Sequence, residues 1–173
     1  MTFGRDVKCD SCGKLETIRT TLMYHYVLDE NQTFAMVAAP TWCFDCDGIR
    51  DGEQLPELDG LTKWVAELEA NGLDEAKLKD KASFLRIEID PEQEYEHELA
   101  RRRAALNWRS MRRSPPRCID CCGTNHQLVQ LSEGGCEHPV CGGTFASYQT
   151  WHAVQGIYCQ LDTEGNRLTD LSK

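Results

Sequence analysis

Seven of the ten cysteines fall in four short turns, and the fourth turn opens on a histidine: Cys9-Asp10-Ser11-Cys12, Cys43-Phe44-Asp45-Cys46, Cys118-Ile119-Asp120-Cys121 and His138-Pro139-Val140-Cys141. Two ligands separated by two residues can both turn their donor atoms inward from one tight turn, and two such turns supply the four donors of a tetrahedral zinc ion. Taken in chain order, the turns predict two closed structural sites. Cys9, Cys12, Cys43 and Cys46 would form a tetrathiolate, and Cys118, Cys121, His138 and Cys141 a Cys₃His set. At the second site His138 restores the two-residue spacing, while Cys136 is an alternative third ligand reached through a longer loop. With four protein donors each, both ions would be structural, and their binding energy would be folding energy. Cys122 and Cys159 are left over; Cys122 directly follows a ligand, and Cys159 sits in an apolar run that suits a small buried side chain.

Other chemistries find less support. Trp42-Cys43-Phe44-Asp45-Cys46 has the spacing of a CxxC redox motif, but Asp47-Gly48-Ile49-Arg50-Asp51-Gly52 follows it. Two glycines in six residues predict a loop, where a redox site needs a helix N-terminus to lower the thiol pKa. Glu96-His97-Glu98 is not a metalloprotease helix, because the second histidine of HExxH is replaced by Arg101. No convincing triad, phosphate loop or carboxylate pair is present, so an enzyme is not expected.

The elements that must carry the turns follow from periodicity. Ile18, Leu22, Tyr24, Tyr26 and Leu28 alternate, Asp29-Glu30-Asn31-Gln32 reads as a turn, and Phe34, Met36 and Ala38 resume the alternation up to Pro40. A hairpin running from the first CxxC to the second is therefore expected. Leu61, Trp64, Val65 and Leu68 have helical spacing, with Asp59 a candidate cap and Asn71-Gly72 a stop. A short helix from Asp74 to about Ala82 follows, and Phe84 to Ile89 is ambiguous between helix and strand. Asp90-Pro91-Glu92-Gln93 opens a long helix that should end near Arg112, before Pro115-Pro116. Projected around that helix, Ala100, Ala104, Trp108 and Met111 share an apolar side, and Arg101, Arg102, Arg109, Arg112 and Arg113 share a basic one. Leu128 to Leu131, Ile157 to Leu161 and Arg167 to Leu171 read as strands, the last two joined by the turn Asp162-Thr163-Glu164-Gly165-Asn166. The fold class expected is α+β: zinc-ribbon modules at 1–60 and 114–173 flanking a helical segment at 61–113, the second carrying an extra hairpin.

Both cysteine arrangements resemble zinc ribbons, over about 9–46 and 118–141, and the His138-Pro139-Val140-Cys141-Gly142-Gly143 turn after an upstream CxxC is similar to small zinc-ribbon units of bacterial proteins of uncharacterised role. The resemblance implies bound zinc and a role in binding nucleic acid, binding protein or bracing a fold.

Charge separates these roles. At 40% hydrophobic and 27% charged residues the chain is that of a globular protein, with a formal net charge of −9. Residues 1–60 hold 5 basic and 11 acidic side chains, 61–113 hold 11 of each, and 114–173 hold 3 and 6. Acidic surroundings at both metal turns disfavour nucleic acid and favour a basic protein partner. An adaptor, inhibitor or immunity-type protein fits; the alternatives are a nucleic-acid regulator using the Arg101–Arg113 face and a CxxC redox protein. The sequence has neither a long apolar run nor a charged-then-apolar leader, so no membrane association is expected and a reducing cytoplasm is the expected setting.

Overall fold

The computed structural model describes residues 2–20, 23–30, 32–132, 134–153 and 159–170. The expected placements of Leu22, Asn31, Ile157, Tyr158 and Leu171 lie outside them. In chain order the elements are β1 (Thr2–Cys9), β2 (Leu15–Thr20), β3 (Met23–Val27), β4 (Thr33–Val37), β5 (Ala39–Cys43), β6 (Gly48–Gly52), α1 (Leu58–Asn71), α2 (Glu75–Leu85), α3 (Pro91–Met111), β7 (His126–Leu128), β8 (Cys136–Glu137), β9 (Thr144–Ala153), β10 (Cys159–Leu161) and β11 (Arg167–Asp170). The fold is mixed α+β, with three helices in the middle of the chain and sheets built from both sides of them. No helix among the described residues is long and apolar enough to cross a membrane.

The chain divides into two units, and the division differs from three consecutive modules. One unit comprises Met1–Val27, Ala35–Gln54 and Arg113–Lys173; the other comprises Leu28–Phe34 and Leu55–Arg112. The two cysteine-rich ends thus build one body. The reason lies in strand pairing, which here joins segments far apart in sequence. In the first sheet, ordered β2-β1-β9-β8, β1 pairs with β2 on one side and with β9 on the other, Lys8 lying opposite both Leu15 and Ala146. In the third, ordered β6-β5-β7, β5 pairs with β6 and with β7, Thr41 facing both Arg50 and Leu128. The second sheet runs β11-β10-β3-β4, with β10 parallel to β3 and Cys159 beside Tyr24.

The expected hairpin forms over β3 and β4, which pair with each other and are closed by the Leu28 N–H donating to the Gln32 carbonyl at 2.9 Å, but it does not run from the first CxxC turn to the second. β2 folds back on β1, whereas β3 lies between β4 and β10. Pro40 does not stop a strand; it lies within β5, where its carbonyl accepts the Val129 N–H at 2.9 Å. The core of this unit gathers Val7, Cys9, Ile18, Trp42, Ile49, Cys136 and Phe145. Tyr24 and Tyr26 are buried on alternate positions of β3, and the Tyr26 hydroxyl donates to Glu53 at 2.6 Å.

The helices of the other unit begin and end where local chemistry directs. Asp74 caps α2 through the N–H groups of Ala76 and Lys77, and Asp90 caps α3 through those of Glu92 and Gln93, with Pro91 in the first turn. Gly72, at φ 70°, ends α1, whose N-cap position is Glu57 rather than the expected Asp59. Phe84 and Leu85 continue α2, and Arg86 turns left-handed at φ 55°, so the ambiguous stretch forms no strand. Leu61, Val65 and Leu68 of α1 are buried as expected. On α3 the buried set is Leu99, Ala105 and Trp108, while Ala100 and Met111 are exposed. Leu99 and Leu106 remove far more apolar area against α1 than the alanine methyls would, and they set the rotation of the helix.

Candidate metal centres

The eight expected ligands meet in two tetrads, but with exchanged partners. Cys9 and Cys12 converge with His138 and Cys141, and Cys43 and Cys46 with Cys118 and Cys121; within each tetrad all donor atoms lie within 4.8 Å of one another. Each centre takes one turn from before the helices and one from after them. The sets Cys9/Cys12/Cys43/Cys46 and Cys118/Cys121/His138/Cys141 do not form, because β1, which leads into the first turn, pairs with β9 and not with β5. Cys136 is not a ligand here: it belongs to the apolar core, where burial pushes its thiol pKa up.

The donors suit a tetrahedral ion. Thiolates at ~2.3 Å from a central zinc would stand roughly 3.8 Å apart. Cys9 Sγ and Cys141 Sγ are separated by 3.5 Å, Cys12 Sγ and His138 Nδ1 by 3.4 Å, and Cys43 Sγ and Cys121 Sγ by 3.6 Å. Sulfur-rich sets of this kind select zinc over hard cations. In each centre one ligand of each turn is buried (Cys9, His138, Cys43, Cys118) and its partner lies nearer the surface.

The two centres are built alike, residue for residue. After the last ligand of every turn comes a left-handed residue: Gly13 at φ 76°, Asp47 at φ 48°, Cys122 at φ 59° and Gly142 at φ 70°. The turns after the helices close on themselves identically. Cys118 N–H donates to Gly123 O at 2.8 Å and His138 N–H to Gly143 O at 2.7 Å. Gly123 and Gly143 each receive the opposing turn so closely that a Cβ would stand 2.3 Å from Asp45 Oδ2 in one case and 2.7 Å from Cys9 Sγ in the other. The sequence places Gly143 in the turn but does not show that it seats the opposing turn; a glycine two residues beyond both Cys121 and Cys141 is the available signal. Cys122, no ligand itself, closes its turn from a left-handed position.

Second contacts orient the donors. The His138 ring packs at a tilt against Trp42 and Phe145, its centroid 4.7 Å from each while those two lie 6.0 Å apart, and its buried Nε2 has no hydrogen-bond partner among the described residues, so ring packing holds Nδ1 toward the sulfurs. Trp42 directly precedes Cys43, so it joins the two centres. The clustered thiols shift one another's ionisation in both directions. Burial, with Cys121 and Cys43 adjacent, pushes Cys46 up to about 12. Burial also acts to raise Cys9, but the N–H groups of Cys12 and Ser11 and the side chains of His138 and Cys141 bring it down to about 6.

The expected basic face is dispersed by the packing. Arg101 grips Glu98 with two bonds of 2.8 Å, and Arg102 donates to the same carboxylate at 2.9 Å; both guanidiniums lie against the Trp64 ring, 5.0 and 4.4 Å from its centroid. Arg109 donates to the Pro56 carbonyl at 2.9 Å, and Arg112 is buried, 5.7 Å from the Trp108 ring. Arg113 is exposed.

Two Cys/His tetrads able to hold two metal ions define the site. Comparison with family models, curated proteins and solved structures finds no match to this chain.

Proposed function

We propose that this protein is an interaction module whose first unit is held by two structural zinc ions, and whose acidic surface receives a basic protein partner. The observation that carries this reading is the pair of closed tetrads. Each offers four protein donors and no position for substrate or water, and each ties a segment before the helices to one after them. A net charge of −9 and the engagement of Arg101, Arg102, Arg109 and Arg112 within the helical unit favour a basic protein over nucleic acid. Burial of Cys43 within a tetrad is likewise the opposite of the accessible thiol a CxxC oxidoreductase needs.

Native mass spectrometry of protein purified without added metal, followed by binding assays on a cationic peptide array and on oligonucleotides, tests this. Two zinc ions per chain and salt-sensitive peptide binding are expected. One ion or none would remove the scaffold. Oligonucleotide binding that steepens at low salt and is lost on changing Arg113 and Arg109 to alanine would replace the protein partner by nucleic acid.

A further inference from the structure

A cleft of about 480 Å³ opens on the metal-bearing unit between the outer face of β1 and β2, strand β6 and the turn at Asp120. Asp51 lines it and is only 7% exposed. No hydrogen bond from the described residues reaches its carboxylate. Its nearest cation is Arg19, with Nη1 at 3.6 Å, and that side chain is itself 43% exposed. The other acids of the cleft are already engaged: Glu16 and Asp120 share Arg50 at 3.4 and 3.6 Å, and Asp6 accepts the Thr17 hydroxyl at 2.8 Å. Four carboxylates thus face two guanidiniums, and Asp51 combines deep burial with the lack of any hydrogen bond to its carboxylate from the described residues. The walls are apolar where Leu15, Pro40 and Ile49 contribute. At the rim stands Tyr148, the extra residue of a bulge in β9: Asp6 pairs with Gln149 and Val7 with Ser147, which leaves Tyr148 unpaired and turned toward the cleft. Bulges re-aim side chains in this way beside binding sites.

We propose that this cleft is a receptor for an alkylammonium group, a primary amine on an aliphatic stem, with Asp51 as the carboxylate that takes the ammonium. A compact ammonium head reaches a carboxylate that has no hydrogen bond, and its stem lies along Leu15, Pro40 and Tyr148. A hard divalent cation needs six or more oxygen ligands, whereas each acid of this cleft already has a hydrogen bond or an arginine within 3.6 Å. Burial, with Asp120 nearby, pushes the Asp51 carboxyl up to about 6 against the pull of Arg19 and Arg50, a penalty that an incoming positive charge relieves. The ammonium has two possible sources, a lysine of a partner protein or a free diamine. Only the choice of the lysine rests on the interaction-module reading; the site itself does not.

Calorimetric titration of the zinc-loaded full chain with cadaverine, with a short lysine-bearing peptide and with its Nε-acetylated counterpart tests the proposal. Saturable binding of at least one amine is expected, with no binding of the acetylated peptide. Asp51→Asn should weaken it about tenfold or more, the loss of a charge-assisted contact, and Arg19→Gln, which removes the competing cation, should strengthen it. Binding should also weaken as pH falls through about 6, where Asp51 takes up its proton among Asp6, Glu16, Asp120, Arg19 and Arg50. Cadaverine binding alone supports the site and denies it a lysine partner; peptide binding supports both. Absence of saturable binding by either amine, or binding indifferent to both substitutions, overturns the site and leaves the interaction module to its own test. Zinc content checks the fold of Asp51→Asn, and if that variant fails to load, the half-exposed Arg19→Gln decides alone.

Discussion

Two side chains are placed where stability is sacrificed. Cys122 occupies a left-handed position that glycine takes in two of the other three turns, at φ 59°. For a residue with a Cβ this conformation costs about 1 kcal/mol. Cys122→Gly should therefore stabilise the zinc-loaded protein by about that amount in a denaturant titration, without loss of metal. Asp51 is destabilising through ionisation. Its carboxyl titrates near about 6 in the folded chain, against about 3.9 when unfolded. Between those values the native state holds the extra proton, so stability falls as pH rises across the window and stays reduced above it. Asp51→Asn removes that fall. It should raise stability by about 1–3 kcal/mol at neutral pH, with the gain vanishing near pH 4. A gain in thermal stability at neutral pH that is matched at pH 4 would contradict this. Retaining such a residue suits a binding group better than a structural one.

Among the elements, the four turns must be judged in pairs. Cys12→Ala and Cys141→Ala should each cost the same ion, and Cys46→Ala and Cys121→Ala the other, because the tetrads join the first turn to the fourth and the second to the third. Cobalt-substituted protein reports this directly, since a site with three sulfurs and one nitrogen absorbs differently from one with four sulfurs. If Cys12→Ala instead left the Cys₄ spectrum altered and the mixed one intact, the exchange of partners would be wrong. The helices show a parallel reassignment. Arg102, with a side chain only 16% exposed, links Glu98 to the Trp64 ring and carbonyl. Burial works against the Glu98 carboxylate, but Arg101 and Arg102 hold its pKa below the ordinary value. Arg102→Ala should cost the helical unit about 1–3 kcal/mol by thermal melting, since it leaves a half-buried carboxylate short of a partner; an unchanged melting curve would return this arginine to the surface.

For the molecule as a whole, the helices are an insertion within nested clamps. The Cys9/Cys141 tetrad encloses the Cys43/Cys118 tetrad in sequence, and the chain leaves and re-enters the unit that carries them at adjacent points. Ile119 N–H donates to Asp51 O at 2.8 Å, Glu53 N–H to Arg117 O at 2.9 Å, and Arg117 N–H to the buried Glu53 carboxylate at 2.9 Å. Replacing 55–112 by a short glycine-serine linker, with Phe34→Ser to avoid exposing a ring that packs on Trp64 and Trp108, should leave two zinc ions per chain by native mass spectrometry. Loss of the Cys43/Cys118 ion would show that the helices help to close it.

The ligands themselves were legible in the chain because a tetrahedral ion imposes a two-residue spacing that survives any fold, and Asp74, Asp90 and Pro91 announced their helices because capping is local. What the spacing does not encode is which turn faces which. Four equivalent turns admit several pairings, and adjacency along the chain suggested the wrong one. The choice came from β1 pairing with β9 across more than a hundred residues, and from the rings of Trp42, Phe145 and His138 packing together. The same limit applies to charge. A helical projection placed the arginines on one face, but their partners, Trp64 and Pro56, lie on other segments. Asp51 looked like one acid of a loop; only the folding of β6 against β1 and β2 buried it, and burial is a property that neighbours in space confer and neighbours in sequence do not.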